Sequence, residues 1–174
     1  MPFLGQLMIA RSRSALWTTS IYGVAILLIL IYADFQRLLP TLLAMTPTLL
    51  AIPCLAGIMS YAGLAFNPLN VMALPVIIGI SVDDGIHLLH RFFQEDGNLE
   101  RTLQGTGRAI FLTSLTTLAG FGSLTFSSHP GLSSFGQLLS IGVLCALIIS
   151  LFILPQLLQI FSKFLLKNQP AGSS

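Results

Sequence analysis

Two long stretches without a charged side chain constrain the fold of this chain more than any other feature. No Asp, Glu, Lys or Arg occurs from Leu38 to Val82, and none occurs from Ala109 to Ser162. A helix that crosses a bilayer needs about 20 apolar residues, so each stretch is long enough for two spans. Only 8% of the 174 residues are charged, against about 25% in an ordinary soluble domain. The sequence therefore predicts an all-α integral membrane protein.

Charged residues and turn formers divide the chain into five predicted spans. The spans cover residues 16–33, 40–61, 69–91, 109–126 and 135–161. We expect them to form a five-helix transmembrane bundle over residues 16–162. A surface lead-in segment, residues 1–15, precedes this domain, and a short polar cytoplasmic tail, residues 163–174, follows it. The charged loop 92–108 is expected to hold a short surface helix, with Asn98 as its N-cap.

The basic residues indicate how the spans are oriented. Six of the eight Lys and Arg residues fall on one predicted side: Arg37, Arg91, Arg101, Arg108, Lys163 and Lys167. By the positive-inside rule this side is cytoplasmic, so the N-terminus is predicted outside and the C-terminus in the cytoplasm. Arg11 and Arg13 precede the first span on the outer side, which fits a surface lead-in helix or, less well, an inverted first span.

Small residues inside the spans indicate helices that pack together. Gly79, Gly85 and Gly120 are predicted to let neighbouring helices approach closely. Prolines inside the predicted spans remove backbone hydrogen bonds and are expected to kink the helices. Cys54 and Cys145 lie in apolar runs and are predicted to be small buried side chains, not a disulfide or metal ligands.

Two adjacent carboxylates, Asp83 and Asp84, interrupt the third predicted span. One charged side chain in a membrane helix costs about 2.5–3.5 kcal/mol on insertion scales. Because burial and like charge both disfavour ionisation, at least one of the two is expected to hold a proton near neutral pH. His87 lies on the same side of the helix and can extend a hydrogen-bonded chain. The pair predicts proton or ion handling; the alternative is that the carboxylates only hold neighbouring helices together.

Hydroxyl side chains are concentrated in the fourth predicted span. They belong to Thr113, Ser114, Thr116 and Thr117. Most of them can return their hydrogen bond to their own helix backbone. Thr113 and Thr117 share a helix face and are the candidates to meet the aspartates. His90 is expected at the cytoplasmic surface.

Several classes of function find no support in the sequence. The net charge of +2 is small and scattered, whereas nucleic-acid binding requires a clustered basic face. No ATP-binding, zinc-protease or serine-esterase motif is present. An intramembrane aspartyl protease is disfavoured because neighbouring residues on a helix diverge by about 100°. The chain is therefore not expected to be an enzyme, and no cofactor is expected.

Three motifs, in this order, resemble one known family. They are "GISVDDGIHLLHRF" in the third span, "TSLTTLAGFGSL" in the fourth and the closing "GQLLSIGVLCALIISLFILPQLL". Together they are similar to the resistance-nodulation-division (RND) superfamily. The nearest branch looks like the MMPL-type or hopanoid-transporter-like membrane domains, which are related to sterol-sensing domains. The similarity covers about residues 16–162 and matches the last five helices of one transporter half.

The resemblance implies a secondary active transporter component in a bacterial inner membrane. It implies export of lipid-like or hydrophobic molecules driven by the proton-motive force, with protons as the coupling ion. The family's proton relay maps onto Asp83, with Asp84 beside it, and a threonine of the next helix maps onto Thr113. The implied partners are the bilayer, a lipid-like substrate, the other transporter half, a periplasmic porter domain and the other subunits of an oligomer.

Two further interpretations stay open at this point. One is a non-transporting, sterol-sensing-like module that binds lipid or assembles with a partner. Such a module should tolerate Asp83→Asn. The other is a truncated fragment without independent activity.

Overall fold

The computed structural model of the chain describes residues 22–23, 25–65, 67 and 69–167. Within these residues the structure is helical and contains no strand, which confirms the predicted all-α class. The α-helices, in chain order, are α1 Ala25–Phe35, α2 Leu38–Ala44, α3 Thr46–Tyr61, α4 Leu74–Gln94, α5 Leu99–Thr102, α6 Arg108–Gly122, α7 Pro130–Ile148 and α8 Leu154–Lys167. Short 3-10 turns are present at Asn70–Ala73 and Ser123–Phe126, and π-helical turns at Leu103–Gly107 and Ile149–Ile153.

Successive helices join into longer segments, and four such segments in the described part are long and apolar enough to cross a membrane. They are Leu38–Tyr61, Asn70–Gln94, Leu99–Phe126 and Pro130–Leu165. These segments support the second to fifth predicted spans. The first predicted span falls partly outside the described residues, which include from this region the shorter apolar helix α1. The predicted lead-in, residues 1–15, lies outside them altogether.

The chain divides into two compact units after Thr41. The first unit contains α1 and the beginning of α2, where the Thr41 hydroxyl donates to the carbonyl oxygen of Arg37 at 2.7 Å. The second unit runs from Leu42 onwards and contains α3 to α8. All the contacts of the candidate site described below lie within this second unit.

Helix α7 is the central helix of the second unit. The most apolar part of Pro130–Leu165 is 61% buried, against 11% for the corresponding part of Leu99–Phe126. The core around α7 contains Leu55, Met59, Ile77, Leu139 and Val143, which come from α3, α4 and α7. A Cβ atom at Gly142 would collide with Ile77, and one at Gly136 would stand 2.8 Å from the backbone nitrogen of Thr125. These two glycines therefore allow α7 to approach α4 and the end of α6 closely.

Prolines mark the beginnings of helices more often than kinks inside them. Pro47, Pro75 and Pro130 lie in the first turns of α3, α4 and α7, where a missing N–H removes no helical hydrogen bond. Pro53 stands inside α3, and Pro155 lies within the joined segment Pro130–Leu165, just after the π-helical turn Ile149–Ile153. The helix of the fifth predicted span begins at Pro130 and so starts before the predicted first residue of that span, 135.

The charged loop predicted between the third and fourth spans is largely helical. A turn after α4 leads to Asn98, whose side-chain oxygen accepts a hydrogen bond from the Arg101 backbone at 3.1 Å. This contact confirms the predicted N-cap. From Leu99 the chain stays helical to Phe126, so the predicted surface helix is the beginning of the fourth span. The π-helical turn carries the helix through Gly105 and Gly107, where the sequence suggests a break.

Two asparagines fix the connection between α3 and α4. The side-chain nitrogens of Asn67 and Asn70 both donate to the Ser134 hydroxyl oxygen of α7, at 2.7 and 2.9 Å. Each asparagine also accepts the other's backbone N–H at 2.8 Å. Asn70 is buried, so this network satisfies polar groups that water does not reach. The predicted turn thereby ties α4 to the beginning of α7.

The two cysteines meet between α3 and α7. The sulfur atoms of Cys54 and Cys145 lie 3.6 Å apart, and both thiols are free. Cys145 is buried, as predicted, but Cys54 is exposed, and that part of the prediction was wrong. Hydropathy placed each cysteine in an apolar run, but it carries no information on which helix face reaches the neighbouring helix.

We expect mild oxidation to join Cys54 and Cys145 within one chain, because their sulfur atoms already touch across α3 and α7. The test uses a protease site inserted in the turn between α4 and Asn98 and a non-reducing gel. After oxidation and cleavage the two halves should migrate together, and a reductant should separate them. The matched Cys54→Ser protein should separate under both conditions. Separation of the oxidised parent would contradict this packing of α3 on α7.

Candidate functional site

Helix α4 divides the aspartate pair between two of its faces. Asp84 is buried, with 7% of its surface exposed, whereas the side chain of Asp83 is 68% exposed. The division follows from helical geometry, since successive side chains point about 100° apart. Apolar or small residues at Ile77, Ser81, Gly85 and Leu88 turn one face inward, and Asp84 lies on that face. The helix thus carries one carboxylate into the bundle and leaves the other at its surface.

The inner face of α4 packs closely against the junction of α2 and α3. The Ser81 and Thr48 hydroxyls form a buried hydrogen bond of 2.8 Å. A Cβ atom at Gly85 would collide with the carbonyl group of Ala44, so the two backbones are in direct contact there. Asp84 lies beside Gly85, and its Oδ2 atom is buried without a hydrogen-bond partner among the described residues. A carboxyl group is therefore held in a tight and incompletely satisfied environment.

Two hydroxyl groups in the segment Pro130–Leu165 are likewise buried without a hydrogen-bond partner among the described residues. Ser140 in α7 and Ser150 in the π-helical turn after it have no hydrogen-bond partner in the described part of the chain. Buried polar atoms are normally paired, and π-helical turns often occur at functional sites. The sequence analysis missed Ser150 and Thr48, and it did not predict the hydrogen bond of Ser81. For Ser81 a usable signal exists, because it precedes Asp84 by three residues and so shares its face.

The outer face of α4 carries an exposed contact between a histidine and an aspartate. His87 Nε2 lies 3.2 Å from Asp83 Oδ1, and the two side chains are 65% and 68% exposed. The contact agrees with the predicted position of His87 one turn beyond Asp83. One further turn along, Arg91 Nη2 lies 2.7 Å from Glu95 Oε1. The outer face of α4 is consequently polar from Asp83 to its end.

The hydroxyls of α6 bond to their own helix. Thr113 donates to the carbonyl oxygens of Ala109 and Ile110, both at 3.1 Å, and Thr117 donates to that of Thr113 at 2.9 Å. No hydrogen bond described in the structure joins Thr113 to either aspartate. The reason is rotational: α6 turns Ser114 into the bundle and leaves Thr113 exposed.

The three glycines predicted to serve packing have different surroundings. Gly85 stands at the close contact with Ala44, whereas a Cβ atom at Gly79 or Gly120 would have nothing within 4 Å. The sequence alone does not distinguish these positions, because the spacing of small residues is the same whether a glycine lies on an open helix face or at a contact with a neighbouring helix.

A cavity of about 320 Å³ lies between the end of α4 and the beginning of the fourth span. On the α4 side its wall is formed by His87, His90, Arg91 and Gln94. The opposite wall is formed by Gly105, Thr106 and Ala109. Thr113 continues the face of Ala109 one turn further along α6. We call the exposed residues Asp83, His87 and Thr113 the polar strip. In the described part of the chain, no three His, Cys, Asp or Glu residues are grouped as a metal site requires.

The apolar spans around a buried carboxyl group define a polytopic α-helical membrane protein. Residues 15–160 match the model of the Patched family, described as Patched SSD. The chain therefore belongs to the Patched family.

Individual relatives agree with this assignment. The chain is 29% identical over 157 residues to the membrane protein MJ1562 of Methanocaldococcus jannaschii, covering 86% of this chain and 40% of that protein. It is 31% identical over 161 residues to the hopanoid transporter HpnN of Burkholderia multivorans, covering 92% of this chain and 17% of the transporter. It is 37% identical over 103 residues to protein dispatched homolog 3 of Mus musculus, covering 56% and 8% respectively.

This chain therefore spans less than half the length of these relatives. No solved structure matches it. The predicted resemblance to RND proteins of the hopanoid-transporter type, with a relation to sterol-sensing domains, is confirmed.

We expect Gly85→Ala to destabilise the bundle by about 1–3 kcal/mol, because the added methyl group must displace the Ala44 backbone. Gly79→Ala is the matched control in the same helix, where the added methyl group meets open space. It should leave stability unchanged or raise it by about 0.5–1 kcal/mol. Thermal unfolding of the two purified variants in one detergent measures the difference. Equal unfolding temperatures would show that α4 does not contact Ala44.

Proposed function

We propose that the chain is the membrane portion of an RND-type exporter of lipid-like or hydrophobic molecules, driven by the proton-motive force. The observation that carries the proposal is the division of the aspartate pair, with Asp84 buried and Asp83 exposed on the same helix. Packing alone does not require two adjacent carboxylates at this cost in a membrane. The relatives named hopanoid transporters support a lipid-like substrate.

In this proposal the pair acts as a two-position proton relay. Asp83 and His87, in contact at 3.2 Å on the exposed face of α4, exchange the proton with the part of the path that lies outside the bundle. Asp84 receives it inside the bundle, where its Oδ2 atom has no hydrogen-bond partner among the described residues. Thr113, on the neighbouring wall, supplies a hydroxyl to the charged form of Asp83 when α4 and α6 come together.

The relay is coupled to movement through the inner face of α4. A buried carboxylate without a partner is costly, so a change in the charge of Asp84 changes the preferred packing around it. Its neighbours on this face are the contact of Gly85 with Ala44 and the hydrogen bond between Ser81 and Thr48. Displacement of α4 against the α2–α3 junction is therefore the proposed first step of alternating access.

The polar strip is proposed to face the other transporter half. Asp83, His87 and Thr113 are exposed here, and such side chains are rarely turned to lipid. Because the chain spans 40% or less of the relatives compared above, the rest of such a protein has ample length for that half and for a periplasmic porter domain. In a bacterial inner membrane, we propose, the N-terminus lies outside and the C-terminus in the cytoplasm.

A second candidate is a sterol-sensing-like module that binds lipid or assembles with a partner without transport. The match to Patched SSD and the similarity to protein dispatched homolog 3 favour it. In such a module the aspartate pair only stabilises helix packing. Neutral replacement of Asp83, whose side chain is exposed, would then have little effect.

We expect Asp83→Asn and Asp84→Asn each to reduce export of lipid to the level of cells without the protein. Asparagine keeps the shape of aspartate but does not carry a proton between the two positions. The readout is lipid transfer out of the inner membrane by cells that produce each variant at equal amounts. Asp96→Asn, in the exposed turn after α4, is the matched control and should export normally. Normal export by Asp83→Asn would contradict the relay and favour the non-transporting module.

A further inference from the structure

The cavity between α4 and the beginning of the fourth span is a second polar site, separate from the buried carboxyl group. It lies at the end of the bundle where α4 finishes and where the segment Leu99–Phe126 begins. Its opposite wall includes Gly105 and Thr106, which belong to the π-helical turn Leu103–Gly107. Such turns often mark functional positions in helices.

The groups that line this cavity are suited to an anion. Arg91, His87 and His90 supply cationic or N–H groups, Gln94 supplies an amide and Thr106 supplies a hydroxyl. No carboxylate of the described residues lines the cavity.

The acidic side chains near the cavity each have a basic or polar partner, and Glu95 pairs with Arg91 itself. Glu95 lies 2.7 Å from Arg91 Nη2 and 3.9 Å from Arg101 Nη1, so two guanidinium groups share one carboxylate. Glu100 accepts a hydrogen bond from Gln104 at 3.2 Å. Asp83 contacts His87 from one turn earlier on α4 and does not line the cavity.

The position of the arginine is compatible with a ligand beside it. A Cβ atom at Gly105 would lie 3.8 Å from Arg91 Nε and 3.9 Å from its Nη2. Glycine at this position therefore keeps the space next to the guanidinium group open. Guanidinium groups bind phosphate with charge-assisted, often paired hydrogen bonds.

The surroundings favour a ligand with an apolar part. Gly105, Ala109 and Leu112 follow one another at helical spacing on one side of the fourth span. Leu112 is half exposed, and no polar side chain separates it from the cavity along this row. An amphipathic ligand whose polar headgroup lies in the cavity can therefore place its apolar chain against Ala109 and Leu112. Basic pockets between membrane helices, at the level of the headgroups, are known sites for acidic lipid heads.

We propose that this cavity binds the phosphate headgroup of an anionic phospholipid, with Arg91 as the main ligand and Thr106 and Gln94 as hydrogen-bond donors. The acyl chains lie along the row from Ala109 to Leu112. The proposed ligands Arg91, Thr106 and Gln94 take no part in the proton relay, although His87 of the relay also lines the cavity.

The test measures phospholipid binding to the protein at its native length, purified in detergent. Native mass spectrometry counts bound phosphatidylglycerol, with phosphatidylcholine as the zwitterionic comparison and inorganic phosphate as the free anion. We expect retention of phosphatidylglycerol by the parent and an affinity about tenfold lower in Arg91→Gln, which loses the charge-assisted bonds. Arg108→Gln removes the same charge at the same end of the bundle but outside the cavity, and it should bind like the parent.

A second variant separates a built site from general attraction of acidic lipids. Gly105→Leu keeps every charge but fills the space beside Arg91, so binding should fall as it does in Arg91→Gln. An unchanged thermal unfolding temperature in phosphatidylcholine shows that each variant is folded.

Three results would overturn the proposal. The first is equal loss of binding in Arg108→Gln, which indicates diffuse attraction to the basic end of the bundle. The second is undiminished binding in Gly105→Leu. The third is saturation of the cavity by inorganic phosphate with displacement of the lipid, which would make the ligand a free anion.

Discussion

The placement of two carboxylates on one membrane helix is the constraint on which the rest of this structure depends. A bilayer offers no water to a charged side chain, so each carboxylate must find protein, a proton or an aqueous surface. Helix α4 meets this requirement by dividing the pair. Asp84 enters the bundle and Asp83 stays outside in contact with His87. The close packing of α4 lies on the same inner face, where Gly85 next to Asp84 contacts the Ala44 backbone.

The glycines explain how this packing is achieved. Gly85 admits the carbonyl group of Ala44, and Gly142 on α7 admits Ile77 of α4. Helix α4 is thus held on two sides by contacts that permit no additional methyl group. Interfaces of this kind have discrete arrangements and do not deform gradually, so in the proposed mechanism a change of charge beside them moves a whole helix. The fourth span, in contrast, is mostly exposed.

Much of this organisation was predictable from the sequence. Charge-free stretches defined four of the spans, and the helical period placed Asp83 and His87 side by side. The sequence is least informative where the answer depends on a neighbouring helix. Rotation of α6 decides that Ser114, and not Thr113, turns inward, and no local pattern encodes this rotation. The contact of Cys54 with Cys145 and the role of Gly85 likewise depend on distant partners. The earlier start of α7, at Pro130, has a local cause, since proline is compatible with both a turn and the first turn of a helix.

The central claim is that the carboxylate pair of α4 moves protons across the bundle. The most direct measurement follows a trapped pH-sensitive dye in vesicles that contain the protein at its native length and the lipids of its own membrane. Under an imposed pH gradient, the account predicts proton entry with the parent protein and entry at the rate of protein-free vesicles with Asp83→Asn or Asp84→Asn. Proton entry at the same rate in the parent, both variants and protein-free vesicles would contradict the account.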